Sequence, residues 1–188
     1  MHGISIQYIM SVEKKPKVQD RIENQQLDDR TIFLWGAVDD KTARHVIDRL
    51  MYLDALNHDE IKFYINSPGG YVTSGFSIYD TIKQIKSPVS TICTGLAASM
   101  GSLLLSVGEK GRRFIQPHAR VMIHQPSGGA QGQASDIEIT AQEILKTKEI
   151  SAKILADNCG QSYDKIMKDF QRDHWMDAAE SVTYGIVD

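Results

Sequence analysis

The sequence predicts a parallel, helix-covered α/β domain, and three observations carry that reading. Short apolar runs (Ile32–Trp35, Ile61–Ile65, Val89–Cys93, Val121–Ile123) stop at or just before glycine, proline or small residues. Between them lie segments whose apolar residues recur at helical spacing. No internal repeat, low-complexity tract or linker breaks the alternation.

Residues 1–30 are polar and rich in charge, so this segment has little to bury and is expected to be mobile or ordered by a partner. Ile32-Phe33-Leu34-Trp35 reads as a buried strand closed by Gly36. Asp39 or Asp40 is placed to cap a helix with Val46, Ile47, Leu50 and Leu53 on one face. Ile61–Ile65 is a second strand, stopped by Asn66-Ser67-Pro68-Gly69-Gly70, and a helix with Ile78, Tyr79, Ile82 and Ile85 follows. Val89–Cys93 is a third strand; a small-residue turn then leads into an apolar helix around Leu103-Leu104-Leu105. Phe114-Ile115 and Val121–Ile123 are short strands. The longest helix is expected over about Ser135–Asp157, burying Ile137, Ala141, Ile144, Leu145, Ala152 and Leu155.

Composition narrows the functional classes. The chain has 188 residues, 41% hydrophobic and 24% charged, which fits one globular domain with a real core. A net charge of -3 gives no electrostatic reason to expect nucleic acid or an anionic membrane as partner. Met1 to Met10 lack the basic start and apolar run of a secretory signal, and no apolar stretch approaches the ~20 residues needed to span a bilayer. Cys93 and Cys159 lie far apart in unlike contexts and read as reduced thiols of a cytoplasmic protein.

Two turns at strand ends are candidates for chemistry, because ligands in open α/β sheets favour the carboxyl ends of strands. Gly95-Leu96-Ala97-Ala98-Ser99-Met100-Gly101 precedes a helix, and small neighbours permit a tight turn that exposes the Ser99 hydroxyl. Free N–H groups at the helix start favour the negative charge that develops when a serine attacks a carbonyl. A serine there serves equally as a simple N-cap, and alanine at position 97 departs from a Gly-x-Ser-x-Gly elbow. In the second turn, Ser67-Pro68-Gly69-Gly70, the Gly70 N–H is placed to join that of Met100 as an oxyanion donor; a plain turn is the other reading. His124 ends a strand beside a glycine-rich loop and is the candidate base. His2, His45 and His58 read as surface residues, His118 precedes the strand and His174 directly follows Asp173. Asp173 is expected to be partly buried against the aromatic stretch and to orient an imidazole, although a helix cap or a surface ion pair fits the same position. The residues by themselves stop at a Ser–His pair.

Taken together, Ile65–Gly70, Ser90–Cys93 through Ala97–Ser102, and Val121–Pro126 resemble the ClpP family, the proteolytic subunits of the Clp protease. The likeness continues through Gly132–Ile139 and Tyr184–Asp188 and covers residues 31–188 in consistent order. It implies a crotonase-like (ClpP-type) α/β fold, with helix-covered sheets and a projecting handle of strand and long helix at about 125–158. Residues 1–30 would stand in place of the family's axial gate. The resemblance further implies a serine endopeptidase with Ser99 as nucleophile, His124 as general base, Asp173 as orienter and the Gly70 and Met100 N–H groups as oxyanion hole. Tyr71, Val72, Ser127 and Gly128 would line the substrate. Self-assembly into two stacked seven-membered rings is implied, alone or with a paralogous ClpP. The rings would receive unfolded polypeptides from an AAA+ unfoldase such as ClpX, ClpA or ClpC. ATP is that partner's fuel, so neither a cofactor nor a metal is expected on this chain.

Departures from the family pattern point to a divergent or second-copy subunit. The usual gate pattern is not recognisable in residues 1–30. Gln171 stands where an acid commonly pairs with the following arginine, Lys62 where an aromatic commonly lines the unfoldase-docking pocket, and Ser127 where an apolar residue is common. Two other readings stay open on the same residues. A same-fold acyl-CoA enzyme would not need the serine nucleophile, and a silent structural subunit would carry the three residues misaligned.

Overall fold

β2 (Ile61–Ser67) sits between β1 (Thr31–Trp35) and β3 (Val89–Ala98) in a computed structural model, which describes residues 17–188. β3 also carries β4 (Arg113–Ile115) and β5 (Arg120–Ile123), and β6 (His174–Met176) closes the order β1-β2-β3-β5-β6. Every pairing is parallel except β5 with β6. The strands form where apolar side chains can be buried by a covered sheet: Ile61, Phe63 and Ile65 of β2 are fully buried.

Helices cover the sheet through the apolar stripes expected of them. α2 (Asp40–Leu56) is capped by Asp39, whose carboxylate accepts from the Thr42 N–H at 2.7 Å, and it buries Ala43, Val46, Leu50 and Leu53. α3 (Val72–Gln84) buries Ile78 and Ile82, while α4 (Met100–Ser106) is buried along its whole length. Gly75 of α3 makes room for the Met100 side chain: a Cβ there would lie 2.1 Å from Met100 Cγ. α5 (Ala134–Cys159), α6 (Tyr163–Asp169) and α7 (Ala178–Tyr184) complete the domain, with α5 packed against α4 and α6.

Five features differ from the sequence reading. α1 (Val18–Asp28) is a helix packed on β1, inside the segment expected to be mobile; it buries no residue fully, which is why its pattern gives so little signal. The remainder of the gate expectation, and His2, fall on residues 1–16, outside the described residues. β3 does not end at Cys93. Its ladder passes from Ile65↔Cys93 to Ser67↔Ala97, so residues 94–96 face Asn66 alone in a bulge, with Gly95 at φ +83°. Only the second half of α5 is buried, through Ser151, Ala152, Leu155, Ala156 and Cys159. Ile137 and Leu145, expected in the core, are 43% and 59% exposed, because no other element among the described residues lies over that half. Residues 124–133 form no strand, having no neighbouring strand in the single chain to pair with. The short α6, β6 and α7 are too brief to leave an apolar period in the sequence; a capping box between Asp177 and Glu180 marks the start of α7.

Cys93 and Cys159 are free and buried, and burial pushes both thiols up to about 12. They are therefore held as unreactive thiols rather than thiolates.

Candidate active site

Ser99 stands between β3 and α4 with φ +54° and ψ -122°. Among the described residues only Arg30 shares a positive φ without being glycine. Such a backbone costs on the order of 1–3 kcal/mol and persists only when its surroundings fix it. Here the Ser99 N–H donates to Met122 O at 2.8 Å, and its carbonyl accepts from the Ser102 N–H at 3.0 Å and the Ser102 hydroxyl at 2.6 Å. Ser99 occupies the N-cap position of α4, yet its side chain makes no capping hydrogen bond. The hydroxyl turns instead to His124, whose Nε2 lies 2.9 Å from Ser99 Oγ.

Two strand pairings bring three distant residues to one corner of the sheet. β3 and β5 are in register with Ala98 opposite Met122, which places the residues just beyond them, Ser99 and His124, near each other. β5 and β6 run antiparallel with Ile123 opposite His174, so His124 and Asp173 leave the ladder side by side. His124 Nδ1 is 3.1 Å from Asp173 Oδ1. Asp173 is not partly buried as expected: its side chain is 58% exposed, because β6 is an edge strand.

The second turn closes on the first. Val38 donates to Gly69 O at 2.9 Å and accepts from the Tyr71 N–H at 2.8 Å, which directs the intervening Gly70 N–H away from Val38. At Gly69, φ +90°, a Cβ would lie 2.7 Å from Ser99 Cβ and 2.9 Å from Met100 N. The Gly69–Gly70 peptide thus lies against the start of α4. Neither the Gly70 nor the Met100 N–H donates to another group among the described residues.

Beside Ser99 and His124 opens a pocket with apolar walls from Val72, Met100, Leu103, Pro126, Leu155 and Phe170, and with Ser102 and Ser151 also lining it. Of the residues expected along the substrate, Val72 is in this pocket. Tyr71 is 67% exposed and precedes α3, its N–H committed to Val38. Ser127 and Gly128 are exposed in the segment after His124, and Gly128 packs on α5: a Cβ there would lie 2.9 Å from Ile144 Cδ1. Sequence reasoning missed the rest of the wall. Leu103 and Pro126 had a signal in their closeness to Ser99 and His124. Ser151 and Leu155 share a face of α5 by their i, i+4 spacing, which indicates burial but not what they face.

No group of three His, Cys, Asp or Glu side chains among the described residues is arranged to hold a metal ion. Nor is any helix among them long and apolar enough to cross a membrane. A family model described as Clp protease matches residues 14–188. The chain belongs to the Clp protease family. It is accordingly a Clp-type peptidase, and its six-stranded sheet with covering helices is the ClpP-type α/β fold. The family match begins at residue 14, ahead of α1, so that helix belongs with the family's own sequence.

Proposed function

We propose that this chain is the serine endopeptidase subunit of an ATP-dependent Clp protease, with Ser99, His124 and Asp173 as its catalytic residues. The observation that carries the reading is the continuous path from Ser99 Oγ through His124 Nε2 and Nδ1 to Asp173 Oδ1, at 2.9 Å and 3.1 Å. Asp173 accepts from the Nδ1–H, which leaves Nε2 unprotonated and able to take the serine proton. Ser99 Oγ attacks the peptide carbonyl as its proton passes to Nε2. The imidazolium then protonates the leaving amine, and a water deprotonated by the same nitrogen releases the acyl group. The tetrahedral oxyanion would be met by the Gly70 and Met100 N–H groups, which are free to donate and lie on adjoining peptides.

The apolar pocket beside Ser99 would take the side chain on the acyl side of the scissile bond. The main chain of residues 126–132, which includes Ser127 and Gly128 and makes no backbone hydrogen bond among the described residues, would hold the substrate as an added strand, giving affinity with little dependence on sequence. Assembly into stacked rings is supported by the apolar side chains that α5 leaves uncovered, among them Ile139, Leu145 and Ile150. An AAA+ unfoldase would supply unfolded chains and spend the ATP, with no cofactor needed here. The two unpaired, buried thiols fit a cytoplasmic setting.

The test is intact mass after treatment with a fluorophosphonate, which acylates activated serines. A single adduct on the parent chain, absent from Ser99→Ala, is expected. A parent chain that stays unmodified, alone and with candidate partner subunits, would overturn the reading.

A further inference from the structure

Ser151 carries a hydroxyl that the mechanism does not use. It lies in the buried half of α5, is 5% exposed, and lines the pocket beside Ser99. Its Oγ makes no hydrogen bond among the described residues, yet no polar side-chain atom there is both fully buried and unpaired. What little of Ser151 is accessible therefore includes the hydroxyl, and the residue is one of those that line the pocket. The other hydroxyl in the wall, Ser102, is already committed as a donor to Ser99 O at 2.6 Å. The walls are otherwise apolar, and apart from His124 no ionisable side chain lines them.

We propose that Ser151 is a specificity-determining residue: its hydroxyl favours, on the acyl side of the scissile bond, an uncharged side chain with an apolar stem and a hydrogen-bonding tip, glutamine above all. The inference rests on the peptidase reading given above. Val72, Leu103 and Leu155 suit the methylene stem, and Ser151 can both donate to the amide oxygen and accept from the amide nitrogen. A glutamate or lysine would bury a charge without a partner and is disfavoured. A pocket lacking the hydroxyl would instead leave the glutamine amide unpaired, which is the larger part of the discrimination.

The experiment compares peptidyl diphenyl phosphonates that differ only in this side chain: glutamine, its apolar isostere homoleucine, glutamate and lysine. Ser99 Oγ displaces one phenoxide from phosphorus, so intact mass against time gives the rate constant for modification of Ser99. In the parent chain the glutamine reagent is expected to react at least as fast as the homoleucine reagent, with the charged pair far slower. In Ser151→Ala the glutamine-to-homoleucine ratio is expected to fall about tenfold. Alanine is a better helix former than serine, so loss of α5 does not confound the result. A ratio unchanged by Ser151→Ala would overturn the proposal, as would failure of the peptidyl reagents where a simple fluorophosphonate still modifies Ser99. Failure of every reagent, the simple one included, would remove the peptidase reading and this proposal together.

Discussion

Gly69 is pressed so closely against Ser99 that a single added carbon would sit 2.7 Å from Ser99 Cβ. The contact joins the turn after β2 to the turn after β3. It also requires φ +90° at Gly69, a conformation that other residues adopt only with strain.

Gly69→Ala therefore meets two obstacles, a left-handed backbone and a collision with Ser99 Cβ, Ala98 O and Met100 N. Either displaces the Gly70 N–H from the place proposed for the oxyanion. Loss of a single such donor costs about 10²–10³ in rate. We expect peptide kcat to fall by at least that factor, with a lower melting temperature. Retention of kcat within tenfold of the parent would show that this peptide does not face the reacting carbonyl.

Ser99 offers a separate test through its strained backbone. Ser99→Ala and Ser99→Gly should both lose the fluorophosphonate adduct. Glycine accepts φ +54° without a Cβ penalty, whereas alanine retains it. Ser99→Gly is thus expected to be about 1 kcal/mol more stable than Ser99→Ala in urea denaturation. Equal stabilities would indicate that the junction relaxes around alanine.

Asp173 holds His124 from an exposed edge strand, with 58% of its side chain in solvent. An orienting carboxylate that is buried is worth about 10⁴ in kcat. Water screening should leave Asp173→Asn a smaller loss, on the order of 10²-fold, measured on a fluorogenic peptide. A loss below fivefold would remove Asp173 from the proposed machinery.

The buried Arg113 binds the Asp188 carboxylate and the carbonyls of Asn158 and Gly185, tying β4 to the end of α5 and to the segment after α7. The Arg113 hydrogen bond holds the Asp188 carboxyl below its ordinary value of 3.8. Its contribution to stability is therefore complete above that value and is lost as pH falls through the lower, folded-state value. Asp188→Ala leaves a buried guanidinium without its counter-charge and should cost about 3 kcal/mol at neutral pH. The variant should also lose part of the parent's decline in stability below about pH 4, read from denaturant midpoints across pH. Parallel pH profiles for the two proteins would refute the linkage.

The uncovered face of α5 predicts self-association. Leu145 is 59% and Ile139 61% exposed, and charged replacements there touch no buried contact within the chain. Leu145→Lys with Ile139→Glu is expected to shift native mass toward smaller species while circular dichroism stays unchanged. An unaltered assembly would place the contact elsewhere.

The sequence by itself determined the alternation of strand and helix and the start of α2 at Asp39 or Asp40, of which the structure selects Asp39 as the cap. It also put Ser99, His124 and the glycine pair at strand ends, because apolar period and turn chemistry are local properties. It did not determine which aspartate meets His124. That depends on β6, a three-residue edge strand too short to leave a pattern, pairing antiparallel to β5 so that Ile123 faces His174. Nor could it foresee that β3 runs past Cys93, since the bulge opposite Asn66 exists only once β2 and β3 are paired. The split of α5 was likewise hidden. Its apolar stripe is nearly continuous, and only the position of α4 and α6 decides that Leu155 is covered and Leu145 is not. Ser151 entered the pocket by the same packing, which the chain's local chemistry does not encode.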